Sequence, residues 1–216
     1  MELAQHLERV IRQLREGHYR NEASISQGVV LPALNYLGWN VFDTSSVSPE
    51  FPIGNRRVDF ALCDDRGTPL LLIEVKQPGK AEGADQQLFE YAFHGGVQFV
   101  ILTDGREWHF YLPGEQGSYH ERRVYKLDLI ERTIDEAVDR LSRYLKKGRV
   151  CSGQSLSAAR EDYKDVVRDT QIEQTLPLAT SGARQSRYKV LGDRDCSCNR
   201  KWLQRSRYLR RAKKTW

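Results

Sequence analysis

The chain has 216 residues, 39% hydrophobic and 29% charged, which suffices for one domain with a core of ordinary size. No run of about eighteen apolar residues occurs, so no membrane-spanning helix is expected, and four cysteines with only Cys196 and Cys198 close together exclude a zinc-ligand pattern. The net charge of +5 misleads: residues 179–216 hold twelve Lys/Arg against two Asp/Glu (+10), while the first 178 hold twenty-two against twenty-seven (−5). A basic chain often signals nucleic-acid binding, but here the basicity belongs to the end of the chain.

Leu3, Leu7, Val10, Ile11 and Leu14 recur at helical spacing, which predicts an amphipathic helix over 3–16 ended by Gly17. This start is amphipathic and acidic, unlike a signal peptide; with no disulfide pattern it fits a reducing, cytoplasmic setting. A second helix begins at Asn21, a good cap, with Glu22 in its first turn, Pro32 as a kink and Gly38 as its end. Trp39 to Phe42 reads as a short extended segment. Residues 43–57 read as a loop with an extended piece around Phe51 and a turn at Gly54-Asn55.

Val58 to Leu62 reads as a strand, Asp64-Asp65-Arg66-Gly67 as a hairpin turn, and Leu70 to Lys76 as a buried, antiparallel partner strand. A helical pattern follows from about Gly83 to Phe93. Val97 to Thr103 and Glu107 to Leu112 form the next pair around Asp104-Gly105, a tight-turn dipeptide. Residues 122–129 add an edge strand, and Ile134, Val138, Leu141 and Leu145 mark a helix over 131–147. The order implies an α/β domain over 1–147, with a central mixed sheet flanked by helices. Residues 148–178 read as a polar helical connector. Residues 179–216 lack apolar periodicity and read as a basic, disordered tail, either an arm attracted to DNA or the product of a shifted reading frame.

The chemistry lies between Asp59 and Lys76. Strand side chains alternate between faces, so Glu74 and Lys76 share one side. If the two strands pair, Asp59 joins them at one end of the sheet. Two carboxylates held close repel unless a cation lies between them. A hard ion such as Mg²⁺ accepts carboxylate and carbonyl oxygens, and the carbonyl of Val75 is a further candidate ligand. Lys76 would then face the attacking water or the charge that develops on a transferring phosphoryl group.

Asp59, a fourteen-residue gap, then Glu74-Val75-Lys76 resembles the D…E-x-K core of the PD-(D/E)xK nuclease superfamily, and Gln87-Leu88-Phe89-Glu90-Tyr91 resembles its Q-x-x-x-Y subset. Together with Asn21-Glu22-Ala23, Leu37-Gly38-Trp39 and Leu102-Thr103-Asp104-Gly105-Arg106-Glu107-Trp108, the chain over roughly 2–178 is similar to the N-terminal nuclease domain of type I restriction enzyme R subunits. The resemblance implies a restriction-endonuclease-like fold and Mg²⁺-dependent cleavage of DNA. It implies Asp59 and Glu74 as metal ligands, Lys76 as the catalytic lysine and Glu22 as a supporting acid. Gln87 and Tyr91, one helical turn apart, would contact DNA phosphate or brace the site. Modification and specificity subunits are the implied partners. The R subunit's ATP-driven motor is not encoded, since no G-x-x-x-x-G-K-[ST] loop occurs.

Each residue also has a plainer reading. Glu74 and Lys76 form a near-neutral surface pair, Glu22 complements a helix N-terminus, and Tyr91 packs. Trp108, Phe110 and the histidines read as packing or surface groups. Lys80, Arg56 and Arg57 are candidate phosphate contacts. The alternative function is a catalytically silent nucleic-acid-binding or assembly module on the same fold.

Overall fold

In the computed structural model the described residues are 2–81, 86–97, 99–116, 118 and 120–175, the side chains of 86, 87 and 169–175 excepted. The expected disordered tail lies outside them.

Helix α1 (Leu3–Arg15) buries Leu3, Leu7, Val10 and Ile11 along one stripe. Asn21 and Ser24 form a reciprocal capping box at the start of α2 (Glu22–Ile25). The expected Pro32 kink takes a specific form: a π-helical turn, Ser26–Val30, runs directly into α3 (Leu31–Tyr36), with Pro32 in its first turn. A proline clashes with the carbonyl four residues before it, and a wider turn there relieves the clash. The loosened turn contains Gly28, where a Cβ would stand 2.5 Å from the Tyr19 ring.

In the next segment one expectation fails and another is exceeded. Residues 39–42 form a turn rather than an extended piece: Asn40 accepts from the Phe42 amide and Asp43 from the Ser45 amide, so local side-chain bonding wins over the strand preference of Trp, Val and Phe. Trp39 is buried, its indole N–H donating to the Leu145 carbonyl at 2.7 Å. Within the expected loop over 43–57, the extended piece around Phe51 is a full strand, β1 (Val47–Ile53). Its two prolines lack the amide that a central strand needs, but β1 is an edge strand, where that loss is tolerated.

Strands β2 (Arg56–Cys63), β3 (Pro69–Val75), β4 (Val100–Thr103), β5 (Glu107–Tyr111) and β6 (Arg123–Asp128) follow. They form one six-stranded sheet in chain order. All neighbours are antiparallel except β3 and β4, which are parallel and joined through α4 (Gln86–His94). The fold is therefore the α/β arrangement that the sequence implies, a mixed sheet flanked by helices.

One sheet face carries Ile73, Ile101, Trp108 and Phe110 against α1, the π-turn, α3 and α5 (Ile134–Leu145). The other face buries Ala61, Leu72, Val100 and Leu102 beneath Leu88, Phe89 and Ala92 of α4. After α6 (Lys147–Cys151), α7 (Gln154–Thr175) begins on the expected connector. Its Ala159 is buried, and its Asp162 receives both the Arg143 guanidinium and the Tyr144 hydroxyl. The compact unit runs to Thr170.

Candidate functional site

The register of the sheet decides what faces what. Phe60 pairs with Ile73 and Ala61 with Leu72, which sets Asp59 opposite Glu74. Glu74 pairs with Leu102, Leu102 with His109, and His109 with Lys126. Side chains in register share a face, so Asp59, Glu74, Leu102, His109 and Lys126 form one row across the sheet. Helix α4 covers Leu72, Val100 and Leu102 on this face, while Asp59 and Glu74 stay partly exposed near the C-terminal end of β3.

Asp59 is half-buried and its Oδ2 accepts from the Val75 amide at 2.6 Å. Burial pushes its carboxyl up to about 6, and repulsion from Glu74, Glu22 and Glu50 adds to this against the opposing Val75 hydrogen bond. The extended backbone turns the N–H and C=O of one residue toward the same neighbour, so the Val75 carbonyl faces the Asp59 side as well. Lys76 Nζ lies 2.8 Å from Glu74 Oε1, with side chains 22% and 12% exposed. The Lys76 amide is anchored on the Thr103 carbonyl at 2.7 Å.

The other sequence-predicted residues fall as follows. Glu22 is exposed in the first turn of α2, within electrostatic reach of Asp59. Gln87 lies on α4, its side chain outside the described residues. The Tyr91 hydroxyl donates to Asn55 Oδ1 at 2.6 Å, and its ring lies against Gly54 so closely that a Cβ there would be 2.5 Å away. Tyr91 therefore holds the turn of the β1–β2 hairpin, whose second strand carries Asp59. Lys80 bonds Gln77.

Sequence reasoning missed two groups. Glu50 stands between Pro49, paired with Phe60, and Phe51, paired with Val58, hence opposite Asp59. It is the one non-glycine residue with positive φ, +47°, among the described residues. Its strand was legible only as an extended piece around Phe51, because two prolines argue against pairing. The second group is His109, fully buried, whose Nε2 lies 3.0 Å from Glu107 and whose Nδ1 lies 3.3 Å from the Tyr111 hydroxyl. Burial lowers its pKa, so the ring is neutral, donating to Glu107 and accepting from Tyr111. Lys126 Nζ completes the group 2.8 Å from Glu107. Burial would raise the Glu107 carboxyl, but His109 and Lys126 outweigh it and hold it down at about 2. The alternation in β5 offered a signal, since Glu107 and His109 share a face.

Residues 52–118 match the family model of the type I restriction enzyme R protein N terminus. This is the family that the sequence resembles. The matched segment carries Asp59, Glu74, Lys76 and Tyr91 and contains the parallel strands β3 and β4. Among solved structures, the type IIG restriction endonuclease BpuSI is similar over 64% of this chain and 18% of its own, at 17% identity and a TM-score of 0.44. The DrdV–DNA complex, solved by cryo-EM, is similar over 64% and 14%, at 18% identity and a TM-score of 0.43. The chain thus spans less than a fifth of the length of either enzyme. No curated protein matches the chain.

The donor set fits a hard divalent cation. Asp59 and Glu74 lie opposite each other on adjacent strands, the available donors are oxygens, and the charge on Asp59 is repelled by Glu74, Glu22 and Glu50. Among the described residues no three His, Cys, Asp or Glu side chains come together to hold a metal ion. A site of one or two carboxylates completed by water and phosphate oxygens is the arrangement Mg²⁺ favours.

Proposed function

We propose that this chain is a Mg²⁺-dependent endodeoxyribonuclease domain of the type I restriction R-subunit kind, hydrolysing DNA phosphodiester bonds. The observation that carries the reading is the convergence of Asp59, Glu74 and Lys76 on one sheet face, from adjacent strands inside the family-matched segment.

Asp59 and Glu74, with the Val75 carbonyl, would hold the cation. When bound, Mg²⁺ supplies Lewis-acid polarisation of the scissile phosphate. The Val75 amide fixes one Asp59 oxygen, leaving the other free to coordinate. Lys76, held by Glu74, directs its ammonium to the water that attacks or to the phosphoryl oxygens as charge builds on them. Glu22 supports the site from the start of α2. Asn55, Gly54 and Tyr91 keep the β1–β2 hairpin, and so Asp59, in register.

The first 178 residues carry net −5. That opposes strong binding of a polyanion by the domain alone, which supports delivery to DNA by modification and specificity subunits in the cytoplasm. The test is nicking of supercoiled plasmid with Mg²⁺, with EDTA, and with Glu74→Ala and Lys76→Ala. Loss in EDTA and in both variants supports the reading. A folded wild type that binds DNA but never nicks it, partners added, leaves the silent binding module instead.

A further inference from the structure

A cleft of about 450 Å³ opens beside the site, at the carboxyl ends of the parallel strands β3 and β4. Crevices at such strand ends are where open α/β sheets bind ligands. Pro78 and Gly79 form one wall. They begin two residues after Lys76, and two residues of extended chain reach at most about 7 Å. The wall is fixed, because the Gly79 amide donates to buried Asp104 at 2.8 Å. Tyr19, Leu14 and Ile130 supply apolar surface, and Arg106, Glu107 and Lys126 supply fixed polar groups. Lys126 also ends the polar row that contains Glu74.

The charges decide what this cleft suits. Arg106 is already held by Asp128, with its Nη2 2.7 Å from Oδ2, and Lys126 by Glu107 at 2.8 Å. Neither cation is in excess over carboxylates, so the cleft has no net attraction for a phosphate. Apolar side chains beside fixed donors and acceptors match a nucleobase, which offers a π-face and a hydrogen-bonding edge. We infer that this cleft takes an unstacked nucleobase of the DNA strand held at Asp59, Glu74 and Lys76, with Tyr19 as its apolar contact. The inference rests on the nuclease reading. A base inside a duplex cannot enter without extrusion, so single-stranded or distorted DNA is the preferred substrate.

The probe is a single-stranded oligonucleotide carrying 2-aminopurine, added to the full chain with Ca²⁺ in place of Mg²⁺. Expected results are a change in 2-aminopurine fluorescence on binding, reversed by deoxyadenosine but not by inorganic phosphate at equal concentration. Tyr19→Ala weakens binding about tenfold, the scale of one lost base contact, and Tyr19→Phe retains it. Because Tyr19 also packs over Gly28, Ile130→Trp, which fills the cleft from its other side, must show the same loss. Unchanged affinity in folded Tyr19→Ala and Ile130→Trp overturns the inference, and so does displacement by phosphate as effective as by deoxyadenosine, which marks an anion site. Plasmid nicking is read separately. Nicking that persists without nucleobase binding sinks only this inference, and nucleobase binding without nicking sinks the nuclease reading.

Discussion

Asp59 carries the charge proposed to hold the cation, and that charge should weaken the fold; Asp59→Asn tests this. In the folded chain its carboxyl titrates at about 6, against about 3.9 in an unfolded chain. Two units correspond to about 3 kcal/mol. Asp59 is only half-buried, so solvent screening roughly halves this, to about 1–2 kcal/mol. The folded pKa is raised, so the folded state binds more protons between pH 4 and 6. Stability is therefore greatest below about 4, falls as pH rises through 6, and stays reduced above. Asparagine keeps an acceptor for the Val75 amide and carries no charge. The variant should melt about 3–6 °C higher at pH 7.5, a gain that vanishes near pH 3.5. Thermal unfolding by circular dichroism at both pH values measures it. An Asp59→Asn protein that melts no higher than wild type at pH 7.5, or gains equally at both values, refutes the electrostatic account.

Other outcomes follow from the same geometry. Saturating Mg²⁺ should raise the melting temperature of wild type but not of Asp59→Asn, since a ligand stabilises only the state that binds it; equal shifts would place the cation elsewhere. Lys76→Met should lower single-turnover cleavage by about 10²–10³-fold, the scale of one lost transition-state contact, while oligonucleotide binding persists. Tyr91→Phe, which deletes the bond to Asn55, should cost about 1 kcal/mol in urea unfolding. Gly54→Ala should cost more, because it strains a φ of +61° and meets the Tyr91 ring. A Gly54→Ala protein as stable as wild type would show that the turn is not clamped. Glu107 has the opposite sign from Asp59. Its folded pKa of about 2 lies below the usual 4.5, so its stabilisation is present above 4.5 and lost as pH falls through 2. Glu107→Gln should therefore destabilise at pH 7 and be nearly neutral at pH 2, by urea unfolding at each.

The residues of the site were legible in the sequence because each strand announces itself locally. A buried apolar run ending in Glu-Val-Lys, and a second run carrying Asp59 across a four-residue turn, need only period-two alternation and turn chemistry to be placed on neighbouring strands. The helices were legible for the same reason, down to the Asn21 cap and the interruption at Pro32. The extended piece around Phe51 was legible, but its pairing into the sheet and Glu50 with it were not, because prolines at 49 and 52 argue against a paired strand and only a place at the sheet edge makes them tolerable. The turn at 39–42 was misread because Asn40 and Asp43 bond their own backbone, a local competition that strand propensity does not register.

The sequence alone determined which side chains could act and on which face of their strands they lie, since alternation and turn geometry are short-range. Tertiary structure decided who meets whom: β3 beside β4 rather than another strand, Tyr91 on the hairpin turn, and the Glu107–His109–Lys126 group in line with Glu74. Those pairings join residues far apart in the chain, and their free energy comes from burial and register across the whole sheet, which no local pattern encodes.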